Sequence, residues 1–238
     1  MPPTVLGLAF NSSESRARMS DACVTAGPRG TQNRRVAITM RAVLEIPFTV
    51  PDAPWPVTRV EPGGWLTLDG TCGDAEVGLF AATVADYNDI PPGELANAGH
   101  LIAPGGLILT DTTTEIVPGC CCGLETWRDW TFAVSGRASP WLGHDPTPTI
   151  SIGEPITVWQ DTGPPGNHTP VPSGPHITLT RAHLIELLHG VHRDLTAFNA
   201  ALATWALRHT RDGPAITATI DTAFAFTAPL AIDTTDAT

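Results

Sequence analysis

The hydrophobic positions of this chain pass through three regimes. Residues 1–39 show no apolar period and carry five arginines against Glu14 and Asp21, with a Ser/Arg-rich stretch from Ser12 to Arg18. Such a segment buries too little to offset its ordering entropy, so it reads as a disordered extension or a start codon assigned too far upstream. Alternation begins at Arg41-Ala42-Val43-Leu44-Glu45-Ile46, and short β-branched or aromatic runs then follow one another between prolines and glycines. These runs predict strands over 41–49, 65–69, 77–82, 106–111, 129–134, 148–152 and 155–160, and so an antiparallel sheet region over about 40–160.

The run 161–176, rich in proline and glycine, is a linker by composition. Beyond it the period becomes helical. Leu184, Leu188, Val191, Leu195, Phe198, Leu202 and Trp205 form one seam along a helix over 181–209, with Thr180 as its N-cap. Ala201, Thr204 and Ala206 flank the seam and are small, which favours packing on the sheet over a coiled coil with charged flanks. Asp212-Gly213-Pro214 places proline where another helix starts, but Ile216, Ile220, Ala223 and Phe224 fit either period, so 216–226 is helix or strand. The expected fold is α+β, with a single domain over 40–238. It comprises the sheet at 40–160, a helical region at 177–230 whose long amphipathic helix packs on the sheet, and a tail at 231–238.

Composition narrows function more than fold. Charged residues make up 16% of the 238, and all 13 basic residues are arginine. Without lysine there is no Walker A lysine, no Schiff base and no lysine general base. A net charge of -11 and a pI near 5.0 speak against phosphate backbones and anionic membranes, which require basic patches. No run reaches the roughly 18 apolar residues of a membrane span, and the first residues lack the charged and apolar regions of a signal peptide. Five cysteines, three of them consecutive, are not spaced like a disulfide framework. The expectation is a cytoplasmic protein with neither a nucleic-acid nor a membrane partner.

The most unusual run is Val117-Pro118-Gly119-Cys120-Cys121-Cys122-Gly123-Leu124-Glu125-Thr126-Trp127-Arg128-Asp129-Trp130. In an extended chain Cys120 and Cys122 project to one side, so a zinc ion, if present, would take Cys120, Cys122 and His144, with Cys72 or His100 as the alternative completing ligands. The favoured reading is structural: small cysteines packed under a sheet edge, with no metal and no cofactor, because zinc spacing normally comes as paired CxxC units. Together with Trp141-Leu142-Gly143-His144-Asp145-Pro146, the run resembles a segment of uncharacterised actinobacterial proteins over about 115–160. That resemblance implies origin and brings no activity with it.

Aromatic, arginine and ionisable residues concentrate here, so Glu125, Trp127, Arg128, Trp130, Trp141, His144 and Asp145 are the expected binding surface. The alternative is that the tryptophans are core and Arg128 pairs with a nearby acid. Between Arg59 and Arg128 stand ten acids and no basic residue, so the expected partner is a basic protein, docked or neutralised in the manner of an immunity protein. The alternative function is a metal- or thiol-dependent enzyme centred on Cys120–Cys122, with His144 and Asp145 as acid and base. Asp86-Tyr87-Asn88-Asp89 has the look of a calcium loop, but Ile90 fills the third ligand position and ordinary turn capping accounts for it. His183, His189 and His192 lack the i, i+4 spacing of a zinc pair and are expected at the surface. No G-x-S-x-G and no G-x-G-x-x-G occurs.

Overall fold

Strand β1, Thr39–Glu45, lies at the centre of the larger sheet. Its alternation turns Met40, Ala42 and Leu44 into the core, and Ile46 continues the same face. The computed structural model describes residues 37–49, 51–161, 172 and 174–232, which belong to one compact unit, Val36–Thr238. The expectations for 1–36, for most of the 161–176 linker and for the tail from 233 lie outside the described residues.

In the first sheet β2, Trp65–Thr67, and β3, Gly105–Thr110, flank β1, and β4, Glu115–Ile116, pairs with β3, giving the order β2-β1-β3-β4. Every pairing is antiparallel, and the register runs from Thr39↔Thr110 to Leu44↔Gly105 on one side of β1 and through Leu44↔Leu66 on the other. The β3–β4 turn is set by Asp111, whose Oδ1 accepts the Thr113 and Thr114 N–H groups at 2.7 and 2.8 Å. A second antiparallel sheet has the order β5-β6-β7, from Thr149–Ser151, Ile156–Trp159 and His176–Leu179.

Two expected strands are helical instead. Residues 77–82 lie inside α1, Asp74–Tyr87, whose residues Val77 to Ala85 are all buried. A helix enclosed on every side loses its amphipathic period, and its apolar run then looks like a buried strand. Residues 129–134 form the end of a 3-10 turn, Leu124–Asp129, and the short helix α2, Trp130–Val134. Conversely β7 occupies the start of the region expected to be helical, and its alternation of exposed His176 and Thr178 with buried Ile177 and Leu179 is that of a sheet edge.

The long helix is where the seam places it. α3 spans Arg181–His209, Thr180 Oγ1 accepts from the His183 N–H at 3.2 Å, and all seven seam residues are buried. It packs on β1 and against α1. The ambiguous 216–226 segment is helix α4, Gly213–Phe224, with Pro214 in its first turn and its buried Ile216, Ile220 and Phe224 turned inward. Phe80, Phe198, Phe224 and Phe226 meet where α1, α3 and α4 converge, the closest pair having ring centroids 4.9 Å apart in an edge-on arrangement.

Candidate cysteine–histidine site and acidic face

The cysteine run sits in a loop that crosses from β4 towards the 3-10 turn and is pinned to a second loop carrying His144. Cys120 N–H donates to His144 O at 2.7 Å, His144 N–H returns a bond to Cys120 O at 3.0 Å, and Gly119 N–H donates to Leu142 O at 2.8 Å. The two backbones approach so closely that glycine is required on both sides. A Cβ on Gly119 would lie 2.0 Å from Pro146 O, and one on Gly143 would lie 2.4 Å from Gly119 O.

The chain is not extended through the triplet. Cys121 is left-handed, with φ at 60°, and the Cys122 N–H closes a turn onto Gly119 O at 3.2 Å. The turn puts Cys120 and Cys121 on the same side, with Sγ atoms 3.5 Å apart and exposed, and sends Cys122 inward. There Cys122 Sγ fills the space above Gly106, where a Cβ would lie 3.1 Å from it. Burial, followed by the Glu125 charge, pushes the Cys122 thiol up to about 12. The structural expectation for the triplet therefore holds for Cys122 alone. The ligand set Cys120, Cys122 and His144 is corrected to Cys120, Cys121 and His144, whose potential ligand atoms all lie within 4.8 Å of one another.

His144 is oriented by its neighbour. Its Nδ1 lies 3.2 Å from Asp145 Oδ2, and its side chain is 45% exposed. Asp145 is left-handed, with φ at 52°. Trp141 stands beside them, more than half exposed, its Nε1 donating to Cys121 O at 3.4 Å and its ring 6.4 Å from the His144 ring. The Cys120 thiol is raised by its hydrogen bond to Cys121, then by burial and by the negative charge of Cys121 and Glu45.

The remaining expected surface residues are not exposed beside the thiols. Trp127 and Trp130 are buried, as the core alternative holds, and Trp127 Nε1 donates to Phe224 O at 2.9 Å. Among the described residues Arg128 forms no salt bridge, although the Asp221 charge acts on it; its guanidinium donates to the carbonyls of Ala225, Ala228 and Pro229. Glu125 is half-buried, and its Oε2 accepts the Ala103 N–H at 3.3 Å. His192, expected at the surface, stacks on Trp127 with centroids 6.2 Å apart, and burial followed by the Arg128 charge lowers its affinity for a proton.

Sequence reasoning missed Tyr87. It ends α1 with its side chain half exposed, and its phenol is raised first by burial and then by negative charge from Cys121, Glu125, Cys120 and Glu45. Its chain neighbours Asp86 and Asp89, with Asp52 from the segment after β1, line a groove of about 300 Å³. No basic residue occupies the last turn of α1, so its carbonyl end adds to the negative charge there. Asn88 closes the helix by donating from Nδ2 to Val84 O and Ile102 O, both at 2.7 Å. The missed signal was the helix itself: once 74–87 is helical, Asp86 and Tyr87 fall at its exposed end.

Comparison with protein-family models, with curated proteins and with solved structures gives no match to this chain. Among the described residues, no helix is long and apolar enough to cross a membrane.

Proposed function

We propose that this chain is a cytoplasmic protein-interaction module that docks, and by docking neutralises, a protein with a basic surface. The observation that carries this reading is the acidic end of α1, where the exposed aromatic Tyr87 lies in the negative field of Glu45 and Glu125 and its chain neighbours Asp86 and Asp89 line a carboxylate groove with Asp52. Exposed aromatics anchor interfaces because they bury much area at little entropic cost. Carboxylates around such an anchor favour arginine or lysine from a partner and penalise acidic surfaces. Among the described residues the arginine–carboxylate pairs are Arg41–Glu115 and Arg208–Asp74, and neither acid lines the groove. Two exposed thiols suit a reducing compartment.

The test uses a fluorescent peptide rich in arginine and lysine, with binding followed by anisotropy at several salt concentrations. Replacing Asp86 and Asp89 by asparagine together with Tyr87→Ala is expected to weaken binding by about tenfold or more, equivalent to about 1.4 kcal/mol. Glu154→Gln with Asp212→Asn removes the same charge elsewhere and is expected to change binding by less than about twofold. Equal losses in the two variants would reduce the interaction to overall charge and defeat the reading.

A further inference from the structure

The pair of exposed thiols and the imidazole beside them have chemistry of their own, independent of the docking face. We infer that Cys120, Cys121 and His144 form a binding site for one thiophilic metal ion of the zinc class.

The spacing fits such an ion. Around tetrahedral zinc, with Zn–S near 2.3 Å, two sulfurs stand about 3.8 Å apart. The Cys120 and Cys121 sulfurs are already 3.5 Å apart, and all three candidate ligand atoms fall within 4.8 Å. The sulfurs have only to open slightly and the imidazole to draw in, adjustments of the size that rotation of exposed side chains provides. The backbone is held already: the paired hydrogen bonds between Cys120 and His144 fix the two loops in register, and the close passage of Gly119 and Gly143 locks them. Such a preformed frame lowers the ordering cost of coordination.

The surroundings distinguish a metal site from a disulfide. Adjacent residues joined by a trans peptide have Cα atoms about 3.8 Å apart, shorter than the roughly 4.4 Å at which ordinary disulfides begin, so Cys120 and Cys121 are better disposed as two ligands than as one bridge. Asp145 on His144 Nδ1 gives the carboxylate–imidazole pairing that orients metal-bound histidines and raises their basicity. Glu45, within electrostatic reach of Cys120, offers a field that favours a cation. Soft sulfur donors with one imidazole select zinc-class ions over magnesium or calcium. Three protein ligands leave a fourth position for water or an external donor. On binding, the two thiols give up their protons to solvent.

The experiment is a titration of the reduced, untagged, full-length chain with Co²⁺ as a spectroscopic probe, followed by displacement with Zn²⁺. One equivalent is expected to give intense thiolate-to-cobalt charge-transfer absorption, abolished by zinc. Cys120→Ser and Cys121→Ser should each remove that absorption, and His144→Gln should weaken cobalt binding by about tenfold or more, while Cys122→Ala, inward of the site, should retain full stoichiometry. A second measurement needs no variant: zinc should protect Cys120 and Cys121 from a thiol reagent, read by peptide mapping, while Cys122 stays unreactive with or without metal. Absence of charge-transfer absorption in the wild type, its survival in Cys121→Ser, or its loss in a folded Cys122→Ala would overturn the assignment. None of these outcomes touches the carboxylate groove, so failure here and failure of the docking reading are separable.

Discussion

Arg128 carries a different burden from the one its setting in the sequence implies. Its guanidinium donates from Nε and Nη2 to Ala225 O at 3.2 and 2.7 Å, from Nη1 to Pro229 O at 3.0 Å, and from Nη2 to Ala228 O, and it lies 4.8 Å from the centre of the Trp127 ring. Those carbonyls belong to the stretch after α4, where Ala225 turns left-handed with φ at 52°. A planar fork of donors suits several carbonyls at once, and a lysine cannot reproduce it. Arg128→Ala should therefore cost about 2 kcal/mol in urea unfolding, the range for hydrogen bonds from a charged group, and Arg128→Lys should recover little of it. Arg193→Ala, at an exposed position of α3, should stay within about 0.5 kcal/mol. Indistinguishable midpoints for the two alanine variants would contradict the latch.

At the scale of elements, Asp74 joins two helices. It sits in the first turn of α1 and meets Arg208 and His209 from the last turn of α3. The hydrogen bond from His209, opposed by burial and reinforced by the Arg208 charge, holds its carboxyl below the ordinary carboxylate range. A depressed folded value means that the unfolded chain binds the proton more readily, so the contribution is present above the unfolded value and is lost as pH falls through the folded one. The melting-temperature gap between the wild type and Asp74→Asn should hold above about pH 5 and close towards about pH 3. A gap that widens on acidification would reverse the sign and reject the pairing.

The elements also show what the sequence can and cannot disclose. α3 was legible because it is buried along one side only, and its seam of Leu184 to Trp205 keeps the helical period. α1 was not, because Val77 to Ala85 are enclosed on all sides and a continuous apolar run has no period to read. The cysteine triplet failed for a related reason: side-chain alternation presupposes an extended chain, and one left-handed residue, Cys121, reverses which thiols face together. His144 and Trp141 were legible as part of the site by chemical type, but nothing local marked Trp127 and Trp130 as core, because burial depends on the packing of α2, α3 and α4 around them.

In the unit Val36–Thr238 the candidate chemistry lies on the outside of a packed core. α1 packs against α3 and the 3-10 turn Pro92–Asn97, and its end delivers Tyr87, Asp86 and Asp89 to the surface. The most direct test of the docking account is hydrogen exchange of the native chain with and without the arginine- and lysine-rich peptide. The account predicts slowed exchange in a footprint on the end of α1 and the residues that follow it, over 86–90, and extending to Asp52 on the other side of the groove. Protection spread evenly over the acidic surface, or confined to α3 and α4, would contradict it.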